Sequence, residues 1–178
     1  MNIVGEKVIL RAMEETDKEM FLELINDPET EKMIGGLSFP VSTLEQEQWI
    51  KNQIGNRSVL RCVIAKKENP GEGLGTIILS DIDYRNGVAQ VHIKISPKRG
   101  RNQGYGTDAL RTISKYAFDE LRLNSLYADV LSYNVVSQKL FIKCGFKMDG
   151  ILRQRVYKNG GYVDIYSYSL LKADKEYV

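Results

Sequence analysis

Residues 88–121 read VAQVHIKI (88–95), SPKRGRNQGYGT (96–107) and DALRTISKYAFDEL (108–121). The first block alternates apolar and polar residues and predicts a strand. The last places Leu110, Ile113, Tyr116, Ala117 and Leu121 on one face and predicts an amphipathic helix. Between them a glycine-rich, cationic loop delivers the chain to a helix N-terminus. There backbone N–H groups point outward and the dipole end is positive. Gly104 and Gly106 let main chain approach a ligand closely, and Lys98, Arg99 and Arg101 add charge. The chemistry implied is capture of a diphosphate.

Three kinds of phosphate loop compete for this stretch. A P-loop ends Gly-Lys-Ser/Thr, whereas Gly106 is followed by Thr107 with no lysine, which excludes it. A dinucleotide fingerprint is formally present as Gly104, Gly106 and Ala109, with Asp129 at a suitable distance for a ribose. That fingerprint follows its strand almost at once, however, and here Pro97 to Gln103 intervene. The third kind is the spacing Arg101-Asn-Gln-Gly104-Tyr-Gly106, taken up below.

Outward from the loop, Ser125 to Leu131 reads as a second strand, so a β-α-β crossover makes it parallel to 88–95. Upstream, Val8 to Arg11 reads as a strand. Thr16-Asp-Lys-Glu19 and Ser42-Thr-Leu-Glu45 read as capping boxes opening two helices, the second carrying Trp49 and Ile50. Asp27 to Pro40, with Gly35-Gly36 and two prolines, reads as a mobile connection. Strands are predicted at Ser58–Lys66 and Leu74–Ile82, and Arg85-Asn-Gly87 is a hairpin signal leading into 88–95. Val135 to Lys143 is a short helix with Gly145 in place for a left-handed C-terminal residue. A hairpin from Met148–Tyr157 and Tyr162–Leu171 closes the chain. The expected fold class is α/β (α+β), in one domain over 1–178. It has a single mixed, mostly antiparallel sheet with one parallel pair and helices on both faces.

Bulk composition narrows the function. The chain has 178 residues, 43% hydrophobic, and a formal charge of +2. That imbalance is too small for a nucleic-acid face, so no nucleic-acid partner is expected. No apolar run is long enough to span a membrane, and the N-terminus lacks a secretory pattern, so a cytoplasmic protein is expected. Two cysteines, Cys62 and Cys144, read as buried small hydrophobes in a reducing compartment. A single histidine, with no cysteine pair at ligand spacing, argues against a metal site. Glu29, Glu31, Glu45 and Glu47 read as solvated helix charges or as attractors of a cationic acceptor. Trp49 reads as core or as the rim of an acceptor pocket. Tyr162, Tyr166 and Tyr168 share a strand face suited to a core or a homodimer contact.

Arg101-Asn-Gln-Gly104-Tyr-Gly106 matches Q/R-x-x-G-x-G/A and resembles the pyrophosphate loop of the GNAT superfamily of N-acetyltransferases. Asn134-Val-Val-Ser137…Phe141…Gly145-Phe146 is similar to the segment that follows the next strand there. Val8–Arg11, Gly150–Arg153 and Tyr162–Leu171 resemble the ribosomal-protein (RimJ/RimL-like) branch, which includes polyamine and antibiotic acetyltransferases. The likeness covers essentially the whole chain. It implies a GNAT-like fold with acetyl-CoA as co-substrate and direct attack of an amine on the thioester. The acceptor would be a small-molecule amine or a peptide N-terminus. It also implies that the parallel pair splays to admit the pantetheine arm along Lys94 and Ile95. The diphosphate would lie on Arg101, Asn102, Gln103, Gly104, Tyr105, Gly106 and Thr107, with Asn134 and Ser137 against the arm.

Two departures concern proton transfer. The usual tyrosine acid is Phe141 here, and the usual glutamate base falls at Gln90 or, one pleat on, His92. His92 is the candidate base because an unperturbed imidazole titrates near pH 6.5. Ser137 and Tyr133 are candidate donors. Phe141 and Gln90 also admit a coenzyme-binding module without catalysis, and Gly104, Gly106 and Ala109 a nicotinamide dinucleotide binder.

Overall fold

A computed structural model describes residues 1–35, 39–53, 55–100 and 102–177, with side chains to Asp174. The elements are β1 (Ile3–Val4), β2 (Val8–Arg11), a 3-10 turn (Glu15–Asp17), α1 (Lys18–Asn26), α2 (Pro28–Lys32) and α3 (Thr43–Asn52). There follow β3 (Leu60–Lys66), β4 (Gly73–Asp83), β5 (Val88–Ile95), α4 (Tyr105–Asp119), β6 (Ser125–Leu131), α5 (Val135–Lys143), β7 (Lys147–Lys158) and β8 (Gly161–Leu171), with a final 3-10 turn (Lys172–Tyr177). All the strands join one eight-stranded sheet in the order β1-β2-β3-β4-β5-β6-β8-β7. Among the described residues only β5 and β6 pair in parallel.

Helices cover both faces because the strands alternate. Cys62 and Ile64 on β3, with Ala89 and Val91 on β5, meet α4 through Ala109, Leu110, Ile113, Ala117 and Phe118. Val63, between Cys62 and Ile64, faces the other way into a smaller cluster of Met20, Phe21, Leu24 and Ile50 from α1 and α3. Trp49 packs on that cluster, 5.4 Å from the Phe21 ring, with the Arg61 guanidinium 5.1 Å above it. Both cysteines are buried, and burial pushes each thiol up to about 11, which leaves them unreactive.

Several local expectations are corrected. The predicted capping box at Thr16–Glu19 does not form. Instead Glu14 and Asp17 cap the 3-10 turn reciprocally, because Asp17 is recruited by Arg11. The segment read as a mobile connection holds α2, started by Pro28 at its first position and by the Asp27 side chain accepting from Thr30 N–H. Residues 36–38 of that connection lie outside the described residues. The Ser42–Glu45 box is present, α5 has the predicted bounds, and Gly145 is left-handed at φ 89°. Helix α4 begins three residues earlier than its periodicity suggests, at Tyr105.

Asp17 is 4% exposed and takes a forked pair of hydrogen bonds from Arg11 at 2.7 and 2.8 Å, plus one from Glu14 N–H. Removing one partner of such a pair strands the other charge. Asp17→Ala is expected to cost about 3–5 kcal/mol, seen as a lower urea midpoint. The paired change Arg11→Met with Asp17→Leu should recover most of that loss. Equal losses for the single and paired variants would mean the ion pair itself carries the stability.

Candidate active site

The loop reaches α4 through two left-handed residues, Asn102 at φ 65° and Gly104 at φ 83°. Gly104 is the N-cap and offers no side chain to the first turn, so no residue side chain caps these N–H groups at that position. Asp108, the acid of that turn, is turned away. Its carboxylate accepts from the main-chain N–H of Glu6, Lys7 and Val8 and so ties the β1–β2 turn to the helix. That tie brings Lys7 over the loop, its Nζ donating to the Gln103 carbonyl at 3.4 Å. A Cβ on Gly104 would lie 3.2 Å from the same Nζ, and one on Gly106 3.2 Å from Ile95 Cδ1. Both glycines therefore sit where main chain, not side chain, lines the bend.

Several charges fall differently from the sequence expectation. Arg99 forks onto Glu23 of α1 at 2.7 and 2.8 Å, and this holds the Glu23 carboxyl below the usual range. Arg99 thus serves the loop's outer wall, not its mouth. Arg101 lies outside the described residues. The cation the structure adds is Lys7, nearly a hundred residues upstream, for which no local sequence signal exists. Lys7, Arg111, Lys115 and Lys143 line a cleft of about 750 Å³ that runs from the bend along α4. Tyr105 is 9% exposed and packs in the main core, its ring beside Gly100 of the loop.

The parallel ladder is short. It runs Val88–Ser125, Ala89–Leu126 and Gln90–Tyr127, and ends there. Beyond it β5 stays with β4 as far as Ile95, while β6 stays with β8 as far as Leu131. The two strands therefore part toward their C-terminal ends, directly below the loop, where open α/β sheets receive ligands. Lys94 and Ile95 lie on the β5 side of the gap, and α5 borders the β6 side. Asn134 caps α5 by accepting from Ser137 N–H at 3.1 Å and donates to the Met33 carbonyl at 2.9 Å. Tyr133 donates to the Lys32 carbonyl and Lys158 to that of Glu31, so three side chains hold α2 against this end of the sheet. Phe141 is 4% exposed, edge-on to Phe146 at 5.0 Å, in the core.

On the sheet face away from α4, Gln90, His92 and Lys94 project from β5. His92 is exposed, and its Nε2 lies 2.9 Å from Ser80 Oγ. Partial desolvation by the side chains around it lowers the imidazole below its ordinary value, opposed by Asp81 and Asp129 and assisted by Lys94 and Arg61. Gln90 reaches Asp129 at 3.4 Å. The four glutamates considered as acceptor attractors have partners: Glu29 holds Lys32, Glu31 holds Lys158, Glu45 caps α3 and Glu47 holds Lys18. Among the described residues no group of His, Cys, Asp or Glu is arranged to hold a metal.

An open sheet parted at its parallel pair, with a helix start that no side chain caps, leaves an opening of the kind in which α/β sheets receive ligands. Comparison with known proteins agrees. A model of the acetyltransferase (GNAT) domain matches residues 7–147. The uncharacterised N-acetyltransferase p20 of Bacillus licheniformis is 30% identical over 95% of each chain. The putative ribosomal N-acetyltransferase YdaF of Bacillus subtilis is 30% identical over 97% of this chain and 96% of its own. The spermidine N-acetyltransferase of Vibrio cholerae, solved with CoA and spermine, shares the fold at a TM-score of 0.84. It is 24% identical and covers 94% of this chain and 97% of that one. The chain belongs to the GNAT acetyltransferase family. It is an N-acetyltransferase, and acetyl-CoA is its co-substrate.

Proposed function

We propose that the coenzyme's diphosphate sits on the N–H groups of Gln103 to Thr107, with Lys7 above it. The single observation that carries this reading is a helix start with no side-chain cap placed over the parting of β5 and β6. The pantetheine arm lies along Lys94 and Ile95 as an added strand, since its amides can pair with strand main chain. Ser137 faces the arm from α5. Asn134 acts chiefly by fixing the start of α5 and the position of α2.

The acceptor approaches over the His92 face. An alkyl ammonium with pKa near 10 must lose a proton before it attacks, and His92 accepts that proton. The amine nitrogen then bonds to the thioester carbonyl carbon. The carbonyl oxygen becomes an oxyanion that a main-chain N–H of residues 93–95 stabilises. The carbon–sulfur bond breaks, and the departing thiolate takes up the second amine proton through solvent, because Phe141 has none to give. Asp81 and Asp129 beside His92 favour a cationic acceptor such as a polyamine, the substrate class named for the Vibrio relative. The whole chain is read as one catalytic domain. Its two buried, unpaired thiols suit the cytoplasm, and exposed Tyr157, Tyr162 and Ile151 on the β7–β8 hairpin suit a homodimer contact.

Acetyl-CoA is expected to raise the melting temperature and NAD to leave it unchanged, since only a ligand of the native state stabilises it. Release of coenzyme thiol across spermidine, kanamycin and N-terminal peptides then identifies the acceptor. Stabilisation by NAD, or no response to acetyl-CoA, would remove the proposed loop assignment. His92→Ala is expected to lower kcat about 100-fold at pH 7. The deficit should shrink toward pH 10, where the acceptor deprotonates unaided. A deficit independent of pH would exclude His92 as the base.

A further inference from the structure

Strand β4 breaks register between Ser80 and Asp83 where it pairs with β5. Within the break Asp81 adopts φ 49°, a left-handed conformation unusual for a residue with a side chain. Bulges of this kind redirect side chains and recur beside active sites. Here the redirected carboxylate takes a hydrogen bond from Ser80 Oγ at 3.1 Å, and the same oxygen lies 2.9 Å from His92 Nε2. A serine hydroxyl has one hydrogen, and a carboxylate accepts only. The hydroxyl hydrogen therefore goes to Asp81, and the lone pair of Ser80 receives a hydrogen from His92 Nε2. The other ring nitrogen, Nδ1, keeps its lone pair.

We propose that Ser80 and Asp81 are positioning residues that hold His92 with Nε2 protonated and Nδ1 presented to the incoming ammonium. This rests on His92 acting as the base. When Nδ1 takes the substrate's proton, the imidazolium keeps its Nε2–H bond to Ser80, so neither ring nor hydroxyl must turn. The charge formed on the ring faces Asp81 from β4 and Asp129 from β6. Lys94 on β5 and Arg61 on β3 oppose it, and the Tyr127 phenol on β6 lies near the same two carboxylates. The two acids thus stabilise the protonated ring, but only Asp81 does so through a shared hydroxyl.

His92 is the one histidine of the chain, so an untagged protein labelled with nitrogen-15 gives a single imidazole titration. The wild type is expected to show Nε2–H above its pKa. Asp81→Asn keeps a residue that tolerates the left-handed backbone, and it is expected to lower the imidazole pKa by about 0.5 unit. The acidic limb of kcat/KM should move down with it while kcat at pH 7.5 falls roughly tenfold. Ser80→Ala should abolish most of the Asp81→Asn effect in the double variant, yet leave the effect of Asp129→Asn undiminished. An Nδ1–H tautomer in the wild type, or an Asp81→Asn shift that survives Ser80→Ala in full, overturns the relay. An imidazole pKa that moves as expected while the rate profile stays fixed overturns His92 as the base, and with it any service of the relay to catalysis. Unchanged circular dichroism and melting temperature identify variants that fold.

Discussion

Gly104→Val is expected to abolish useful binding of acetyl-CoA, with Kd rising ~100-fold by calorimetry while most of the fold survives. Two effects add. At φ 83° a β-branched residue is strained, at about 1–2 kcal/mol or more, and relief turns the peptide that starts α4. The new side chain also stands where Lys7 Nζ approaches, 3.2 Å from its Cβ, beside the N–H groups proposed to take the diphosphate. Gly104→Ala carries the strain with less cover and should weaken binding by a smaller factor. Binding of the valine variant within threefold of wild type would show that the coenzyme's phosphates are held elsewhere.

Gly75→Ala is expected to damage stability and turnover together. Gly75 is paired with Ile95 at the far end of β5, beside the parting of the sheet. A Cβ there would lie 2.0 Å from the Lys94 carbonyl oxygen and 2.8 Å from Ile95 Cα. These are main-chain atoms that no rotamer change can move. The end of β5 must shift into the gap that the pantetheine arm is proposed to fill. Overpacking of this kind costs roughly 1–3 kcal/mol, which lowers Tm by about 2–12 °C in a chain of this size. KM for acetyl-CoA should rise at temperatures where the variant is fully folded. A normal KM with reduced Tm would separate the strand's end from coenzyme binding.

Much of the fold could be read in advance because its signals are local. Alternation marks 88–95 and 125–131 as strands with the bounds the structure shows, and the Asn134 to Gly145 segment carries its own cap and its own left-handed terminus. The glycine bend that opens α4 is legible for the same reason, since the glycine spacing and the helix that follows are contiguous. Signals failed where a distant partner decides. The box expected at Thr16–Glu19 gives way to one between Glu14 and Asp17, whose carboxylate Arg11 also holds. Arg99 leaves the loop's cationic set because Glu23 of α1 lies beside it. Lys7 joins the loop only through Asp108, a contact across about a hundred residues of chain. Ser80 and Asp81 carry no motif at all. Their meaning comes from a bulge, and a bulge is a property of two strands in register.

Three rungs hold the two halves of the sheet together at β5 and β6, whereas the neighbouring antiparallel ladders are longer. Mechanically this is a seam. In the absence of ligand the amides along it are expected to exchange faster than those of the β4–β5 and β6–β8 ladders on either side, since fewer rungs must open. A coenzyme arm lying in the parting would act as a splint, lengthening the seam with its own amides. Affinity for the coenzyme and rigidity of the empty protein are then linked: whatever stiffens the seam beforehand leaves less for the coenzyme to contribute.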